Sequence, residues 1–332
     1  MSNDVITQRH PDRRQFLTVG VGIFVALSLP AALLRRHVAL VKRRVPLMGT
    51  IAEIQVAHRD ERFAEDAIDA AIAELNDVER AMSRFLPESD IGRANSRASR
   101  DGVRITAETG AVIAAALHAS SASDGRFDPA VGEVSELWDV LNRHAPPETD
   151  RVQRLAARGF WRKLDLTERP GSAAVRFNDP DLHLDLGAIA KGYGIDRATS
   201  ALRRRGVEHA IVTVGGDLFA LGNSPDGEKW TVGIRSPHDR DALAATLHVS
   251  DRAVATSGDY ERFFRWRGHR YHHLMDPETA APRMTSFHSA TVLADHCIDA
   301  DAASTSVFGL PRDAAIRIAR RIDSSADVIP LT

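Results

Sequence analysis

The sequence predicts an α+β fold, with α/β character, built around a central mixed β-sheet. Apolar residues recur at helical spacing across residues 63–82, which is the pattern of an amphipathic helix with one buried face. The β-branched run of residues 210–214 indicates a strand that is buried on both faces. Strands separated by helices in the first half, followed by adjacent strands in the second half, favour a mixed sheet.

Length and composition permit one large domain or two modest ones and exclude several classes of protein. The chain has 332 residues, 43% of them hydrophobic, so it can build a substantial core. Its 43 basic and 45 acidic residues produce no overall positive field, so we expect no nucleic-acid partner. Cys297 is the only cysteine, which excludes an internal disulfide and a cysteine-rich metal site.

The N-terminal segment has the pattern of a twin-arginine export signal, with Arg13 and Arg14 preceding an apolar run over residues 18–34. This run has about 17 residues, the lower limit for a membrane-spanning helix, so an uncleaved anchor is possible. No convincing small-x-small cleavage site follows the run, which favours retention over release. A buried N-terminal helix is less favoured, because arginine pairs flank the run. We therefore expect a signal or membrane anchor at residues 1–37, a folded domain at residues 38–332, and a periplasmic or inner-membrane location facing the periplasm.

The first half of the folded domain is expected to begin with a strand over residues 42–57. Pro46 and Gly49 interrupt this β-rich segment, which indicates a bulge at Met48-Gly49-Thr50. In the helix that follows, Met82 is expected in the core. The expected elements after the strand are a helix over residues 63–82, a polar loop over 83–90, a helix over 106–121, a turn over 124–129, a helix over 151–158 and strands over 163–166 and 174–177.

The second half is expected to begin with a strand over residues 182–186, which leads into a glycine-rich turn and a helix over residues 191–205. The remaining expected elements are strands over residues 210–214, 230–234, 243–249 and 262–274, and helices over residues 301–308 and 314–322.

The glycine-rich turn within residues 183–196 indicates a close approach to the backbone. Free N–H groups between a strand and a helix can face an anion such as phosphate. Gly187 and Gly192 have the spacing of the two P-loop glycines, but Tyr193 and Gly194 replace the required Lys and Ser/Thr. The residues therefore leave two alternatives, another kind of phosphate site or no phosphate site.

Asp301 and Thr305 are four residues apart in a predicted helix and therefore share one face. A carboxylate and a hydroxyl among small residues can hold a hard cation such as Mg²⁺. Taken alone, an aspartate near a helix start is more often a cap. Asp301 and Thr305 therefore indicate a cation site only in combination with other motifs.

Two further polar segments have ordinary structural interpretations. Residues 255–262 are polar and are expected to be a turn between strands. His272 and His273 are adjacent in a predicted strand, so their side chains point to opposite faces and one of them is expected to point inward. Adjacent strand residues do not easily share one metal, which disfavours a zinc site. A single inward histidine is more often structural than catalytic.

Taken in order, several motifs are similar to those of the ApbE family of FAD:protein FMN transferases. The resemblance extends from about Val45 to Gly309, and the departures are small: Thr279-Ala280 replaces the family's Thr-Gly, and Ala188 stands where many members have Gly or Thr. The segments that carry the resemblance are Leu47-Met48-Gly49-Thr50, Phe-Asp-Pro-Ala-Val-Gly at 127–132, Asp-Leu-Gly-Ala-Ile-Ala-Lys-Gly-Tyr at 185–193, Gly215-Gly216-Asp217, Thr-Ser-Gly-Asp-Tyr at 256–260, His-Leu-Met-Asp-Pro at 273–277, and Ala300-Asp301 to Thr305.

The resemblance implies a two-lobed body around mixed β-sheets, with FAD in the cleft between the lobes. It implies a Mg²⁺ site formed by the backbone carbonyl of Ala188 and the side chains of Asp301 and Thr305. His273 or Asp276 is the candidate general base. The residues that match FAD-lining positions are Met48, Phe85, Arg126, Phe127, Asp128, Asp185, Lys191 and His273.

The implied reaction is Mg²⁺-dependent transfer of FMN from FAD to a Ser or Thr hydroxyl of an acceptor protein, with release of AMP. The implied acceptor is a membrane or periplasmic redox protein. Two alternatives remain at this point: an FAD pyrophosphatase that gives FMN and AMP, and an exported FAD-binding protein without turnover.

Overall fold

The computed structural model describes residues 23–26, 38–239 and 241–331. The helices of these residues are α1 (Glu61–Met82), α2 (Asp90–Arg97), α3 (Ala107–Ala122), α4 (Gly132–Trp138), α5 (Thr149–Leu155), α6 (Ala190–Arg204), α7 (Cys297–Val307) and α8 (Arg312–Ile322). The strands are β1 (Ile23–Ala26), β2 (Ala39–Leu47), β3 (Thr50–His58), β4 (Val103–Ile105), β5 (Leu164–Arg169), β6 (Ser172–Phe177), β7 (Ala210–Val214), β8 (Asp217–Leu221), β9 (Trp230–Arg235), β10 (Leu243–Val249), β11 (Arg252–Gly258), β12 (Phe263–Trp266), β13 (His269–His272), β14 (Met275–Asp276), β15 (Ala281–Pro282), β16 (Ser289–Ala294) and β17 (Asp327–Leu331).

A seven-stranded sheet forms the centre of the first lobe, in the order β17-β16-β11-β8-β7-β3-β2. The α+β class is confirmed. Every described ladder of this sheet is antiparallel, so the expected mixed sheet is corrected in this detail. Two of these ladders, β2–β3 and β7–β8, are tight hairpins, and a hairpin connection joins antiparallel strands.

The central strands are buried on both faces. In β7, Val212 packs in the cluster formed with α1, α6, α7 and α8, whereas its neighbour Ile211 packs in a second cluster with β9 and β10. Phe219 and Leu218 in β8 divide between the same two clusters. This alternation follows from the two-residue period of a strand, and it places helices on one face of the sheet and a small second sheet on the other.

The second lobe contains α2 to α5 and the three-stranded sheet β4-β6-β5. Its core includes Phe127, Trp138 and Phe160, each no more than 4% exposed. The long helix α1 connects the two lobes, because its early residues pack in the first core and its last buried residues, Val78 and Met82, pack in the second. The expectation that Met82 is a core residue is confirmed.

The expected bulge at Met48-Gly49-Thr50 is wrong, because these residues belong to a tight hairpin. Leu47 pairs directly with Thr50, and the two residues between them have positive φ, 53° for Met48 and 67° for Gly49. Two consecutive left-handed residues are the geometry of a two-residue hairpin turn. The predicted single strand is therefore β2 and β3.

Three other segments differ from the expectation. Residues 182–186 form no strand, because their backbone makes isolated contacts and no continuous ladder. The Leu184 N–H donates to the Asn95 side chain, and His183 forms a single bridge with Val131. The expected turn at 255–262 begins instead with β11, in which Ser257 is buried and Thr256 is partly buried. The expected strand over 262–274 is the hairpin β12–β13.

Four residues of the N-terminal apolar run, Ile23–Ala26, form β1, which pairs antiparallel with β9. The arginine pair and the rest of the predicted export signal lie outside the described residues. No helix in the described part of the chain is long and apolar enough to cross a membrane.

Candidate active site

Lys191 lies at the centre of a buried ion-pair cluster. Its ammonium nitrogen is 2.8 Å from Oδ2 of Asp217 and 2.9 Å from both carboxylate oxygens of Asp301. Asp217 is 2% exposed and Asp301 is 3% exposed. Backbone N–H groups complete the set, since Thr256 donates to Asp217 at 3.0 Å and Gly192 donates to Asp301 at 3.1 Å. Buried charges of this kind persist because each one is paired and hydrogen-bonded.

Close packing of α6 against α7 brings this cluster together. A Cβ atom on Gly192 would lie 2.2 Å from the carbonyl oxygen of Cys297, so only glycine permits the approach. One turn later in α6, the carboxylate of Asp196 accepts a hydrogen bond from the Cys297 N–H at 2.8 Å, which satisfies a free donor at the start of α7. Gly192 therefore serves helix packing, and this packing brings Asp301 to Lys191.

The cluster contains two carboxylates and one ammonium group and thus carries one net negative charge. Burial is the largest influence on Asp217 and raises its pKa to about 6, although the nearby Lys191 lowers it. Burial lowers the pKa of Lys191, but the charges of Asp217 and Asp301 outweigh burial and raise that pKa above its ordinary value. An additional cation at this position would be stabilised by the excess negative charge.

Hydroxyl groups meet between β11 and α7, the helix that carries Asp301. The Ser257 hydroxyl in β11 lies 3.1 Å from the Thr305 hydroxyl and 2.9 Å from the Ser304 hydroxyl. Thr305 follows Asp301 by one helical turn in α7, so the expectation that both residues lie in one helix is confirmed.

The available donors fit a hard cation such as Mg²⁺. Asp301 offers a carboxylate, Thr305 offers a hydroxyl, and Ala188, in the turn that leads into α6, offers a backbone carbonyl. All three are oxygen ligands, which Mg²⁺ prefers. The net negative charge of the neighbouring Lys191 cluster also favours a cation. The ligand set implied by the resemblance stays a prediction, and the donor chemistry supports it.

The Met48 turn lies beside α6 and the β12–β13 hairpin. A Cβ atom on Gly194 in α6 would lie 3.5 Å from the Met48 sulfur. Arg262 donates to the Gly49 carbonyl at 3.0 Å, and its own carbonyl accepts a hydrogen bond from the His273 N–H at 3.1 Å. The positive charge of Lys191 also lowers the pKa of His273. The structure thus brings together Met48, Lys191 and His273 from three distant parts of the chain.

Phe85 and Asp185 lie on either side of Arg84. The Arg84 guanidinium stacks over the Phe85 ring at 4.3 Å, and its Nε is 3.2 Å from the Asp185 carboxylate. The Phe85 ring is 77% exposed. An exposed aromatic ring beside a charged pair is suited to stack against a flat ligand.

The side chains of the Arg126-Phe127-Asp128 turn are engaged inside the protein. Phe127 is 2% exposed in the second core. The Asp128 carboxylate accepts hydrogen bonds from the backbone N–H groups of Ala130 at 2.8 Å and Trp161 at 3.2 Å. Burial raises the pKa of Asp128 to about 6. Phe127 and Asp128 therefore fix the shape of the turn.

Arg126 and Arg283 together bind the C-terminal end of α7. Arg126 donates to the carbonyls of Ser306 at 3.0 Å and Phe308 at 2.9 Å. Arg283 donates to the carbonyls of Thr305 at 3.2 Å and Phe308 at 3.1 Å, and also to the Arg126 carbonyl at 2.8 Å. Burial, followed by the charge of Arg126, lowers the pKa of Arg283 to about 10. These contacts satisfy the last free carbonyls of the helix that carries Asp301.

His272 points inward, and its Nε2 lies 3.0 Å from the Arg283 carbonyl, so the expectation of one inward histidine is confirmed. His273 is only partly buried, and its Nδ1 lies 3.3 Å from the Arg262 carbonyl. The protein environment around the ring, chiefly its desolvation and then the charge of Arg262, lowers the pKa of His273, so the ring is neutral at pH 7. Asp276 is engaged in a turn, where it accepts a hydrogen bond from the Glu278 N–H at 2.9 Å.

Sequence reasoning gave no site role to Asp217, Ser257, Arg84 or Arg283. For Asp217 and Ser257 a signal exists, because each is a polar residue next to or within a strand that is otherwise buried. Arg84 and Arg283 carry no local signal, since their partners lie far away in the sequence.

Comparison with known proteins places the chain among flavin transferases. The profile of the ApbE family matches residues 48–329. The chain is similar to the FAD:protein FMN transferase of Treponema pallidum, with 31% identity over 306 residues that cover 88% of this chain and 84% of the relative. The corresponding protein of Klebsiella pneumoniae is 32% identical over 283 residues, which cover 84% of this chain and 86% of the relative.

Solved structures agree with this comparison. The ApbE protein of Thermotoga maritima matches with a TM-score of 0.78 and 27% identity, covering 88% of this chain and 94% of that protein. The flavin transferase ApbE of Vibrio cholerae matches with a TM-score of 0.75 and 25% identity, covering 89% of this chain and 98% of that protein. The family profile spans most of the chain, and the relatives are matched over most of their length. The chain therefore belongs to the ApbE family.

Proposed function

We propose that this chain transfers FMN from FAD to a Ser or Thr hydroxyl of an acceptor protein, with Mg²⁺ bound and AMP released. The observation that carries the proposal is the buried Lys191–Asp217–Asp301 cluster, whose excess negative charge and oxygen donors suit a hard cation. The names of the relatives, FAD:protein FMN transferase, support flavin transfer as the activity.

The proposed reaction is a displacement at the FMN phosphorus of FAD. The acceptor hydroxyl oxygen forms a new bond to that phosphorus, and the bond from the phosphorus to the bridging oxygen breaks. AMP leaves with the electron pair of the broken bond, and the hydroxyl proton passes to a base. Bound Mg²⁺ would supply neutralisation of the negative charge on the pyrophosphate.

His273 is the better candidate for the base. Its Nδ1 faces the Arg262 carbonyl at 3.3 Å, which favours a hydrogen on Nδ1 and leaves Nε2 as the proton acceptor. Negative charge from a bound dinucleotide would raise the low pKa of this ring towards neutrality, where a base is most effective. Asp276 is less available, because one of its oxygens already accepts the Glu278 N–H.

The flavin-binding role rests on Phe85, Met48 and Asp185. The exposed Phe85 ring offers a flat apolar surface, and Arg84 holds it next to the Asp185 carboxylate. The Met48 turn supplies an apolar side chain beside α6. Aromatic and thioether groups suit a planar ring system, while a carboxylate suits its hydrogen-bond donors.

The deciding experiment incubates the full chain with FAD, Mg²⁺ and exported candidate acceptors, followed by mass spectrometry of the acceptor and chromatography of the nucleotides. Transfer predicts an FMN adduct on the acceptor and one AMP per adduct. An acceptor whose target Ser or Thr is replaced by Ala is the control. Free FMN with AMP, independent of acceptor, would instead identify a pyrophosphatase. Stoichiometric FAD retention without AMP would identify a binding protein.

We further propose that the enzyme is exported and that its acceptor is a membrane or periplasmic redox protein. The support is the twin-arginine pattern of residues 13–34. Fractionation of cells that express the full chain, compared with a variant in which Arg13 and Arg14 are replaced by Lys, tests this location. Equal export of both proteins would contradict it.

A further inference from the structure

We propose that Glu133, Glu136 and His183 bind a first-row transition-metal cation at a second site. Their ligand atoms all lie within 4.8 Å of one another. Nδ1 of His183 is 3.3 Å from Glu133 Oε2 and 3.6 Å from Glu136 Oε2. Ligands held about 2.0–2.2 Å from one zinc ion stand about 3.0–3.6 Å apart. The two separations from the histidine nitrogen fall in this range, so the three ligand atoms are close enough to share a cation.

The backbone holds these three residues in place without a metal. Glu133 and Glu136 are three apart in α4 and share one face of the helix. The Gly132 N–H donates to the His183 carbonyl at 2.8 Å, and Val131 forms a parallel bridge with His183. A Cβ atom on Gly132 would lie 2.7 Å from the same carbonyl oxygen, so only glycine permits this approach. A fixed backbone reduces the entropy cost of binding.

The histidine ring presents a buried nitrogen that lacks a hydrogen bond. Nδ1 of His183 has almost no exposed surface and makes no hydrogen bond in the described structure, although it is aimed at two carboxylates. Buried polar atoms without a partner are uncommon in folded proteins. A cation between the ring nitrogen and the two carboxylates would give the nitrogen a partner and the carboxylates a shared positive charge.

The local charge also favours a cation. Arg84 lies 2.9 Å from Glu136 and 3.2 Å from Asp185, and Glu133 adds a third carboxylate. Counted together, Arg84 and these three carboxylates carry two net negative charges. A divalent ion would neutralise this excess.

The donor types select the class of metal. An imidazole nitrogen with two carboxylates suits Zn²⁺, Mn²⁺ or Co²⁺, whereas Mg²⁺ prefers oxygen ligands alone. The second site therefore differs in chemistry from the oxygen-only donors around Asp301. None of its three residues is assigned to the proposed transfer reaction, and Arg84 links Glu136 to the proposed flavin-binding residue Asp185.

The test is titration of the full chain with Co²⁺ in the presence of excess Mg²⁺, followed by visible absorption and calorimetry. We expect one Co²⁺ equivalent that survives the Asp301→Ala substitution. The variants His183→Gln and Glu133→Gln should each weaken it by at least about tenfold, as the loss of one of few ligands does. His118→Gln, which changes an exposed histidine of α3, is the matched control and should bind as the wild type does.

Two results would contradict the proposed second metal site. One is Co²⁺ binding that is unchanged in both His183→Gln and Glu133→Gln. The other is the lack of any Co²⁺ equivalent that persists in Asp301→Ala. Circular dichroism before titration identifies a variant that fails to fold. If His183→Gln does so, the partly exposed Glu133→Gln decides the outcome alone.

Discussion

Lys191 and Asp301 are separated by 110 residues in the sequence, yet the lysine ammonium lies 2.9 Å from each oxygen of the aspartate carboxylate. Asp217 faces the same ammonium at 2.8 Å. One ammonium group thus balances part of the charge of two buried carboxylates. We therefore expect different effects when Lys191 or Asp301 is replaced.

Asp301→Ala is expected to abolish Mg²⁺-dependent flavin transfer and leave the fold intact, because Lys191 keeps Asp217 as its partner. In-gel flavin fluorescence of an acceptor measures the transfer, and circular dichroism measures the fold. Asp313→Ala, at an exposed position in α8, is the matched control. Full transfer by the Asp301 variant would refute the metal assignment.

Lys191→Met is expected to lower the free energy of unfolding by about 3–5 kcal/mol, since it leaves two buried carboxylates without their cation. Urea unfolding measures the loss. Adding Asp217→Asn removes one of the two like charges and should recover part of the stability. A double variant no more stable than the single one would show that repulsion between the carboxylates is not the cause.

Gly192→Ala is expected to destabilise the protein by about 1–3 kcal/mol or more and to reduce flavin transfer. The added methyl group would meet the Cys297 carbonyl oxygen at 2.2 Å and push α7 away from α6. Gly102→Ala is the control, since nothing lies within 4 Å of the corresponding atom there. Equal thermal midpoints for the two variants would contradict the close helix contact.

His272 is expected to make stability depend on pH. Burial, its largest influence, lowers its pKa from 6.5 to about 4. Between these values the unfolded chain binds a proton that the folded chain does not, so stability falls as pH drops through this window, by up to about 3 kcal/mol. Urea unfolding of wild type and His272→Gln at several pH values measures it. The free energy of unfolding of the wild type should exceed that of His272→Gln by less and less as pH falls from 6.5 to 4. A difference that stays constant would show that His272 does not cause the pH dependence.

Phe85→Ala is expected to weaken FAD binding by about 5–100-fold, the range for loss of one aromatic stacking partner, with little change in stability. The ring is 77% exposed, so it contributes little to the core. Quenching of flavin fluorescence measures the affinity. Leu141→Ala is the control, because Leu141 is also exposed, at 65%. Equal affinities for both variants would place the flavin elsewhere.

Local periodicity was sufficient to predict several helices and strands. Helix α1 has one apolar face, and β7 is a continuous β-branched run, so neighbouring residues define each element. The strands β8 and β16 escaped prediction because they show neither alternation of polar and apolar residues nor a continuous β-branched run like that of β7. The hairpin at Met48 escaped because its turn requires a non-glycine residue with positive φ.

The candidate site could be predicted in part. The motifs around Lys191 and Asp301 mark their chemistry, but neither reveals that the two side chains form an ion pair. Gly192 signals that something approaches the backbone, and only the fold shows that it is the Cys297 carbonyl. The contacts of Arg126 with α7 span 180 residues or more, so no local pattern contains them.

The position of α7 near the end of the chain has a consequence for synthesis. Its first turn is held by Asp196 and its last turn by Arg126 and Arg283, all of which leave the ribosome earlier. Until residues 297–308 emerge, Lys191 has only Asp217 as a partner, and Asp196, Arg126 and Arg283 lack their partners in α7. The charged cluster is therefore completed late in synthesis, and we expect a polypeptide that ends before α7 to lack flavin transfer even where its earlier parts have folded.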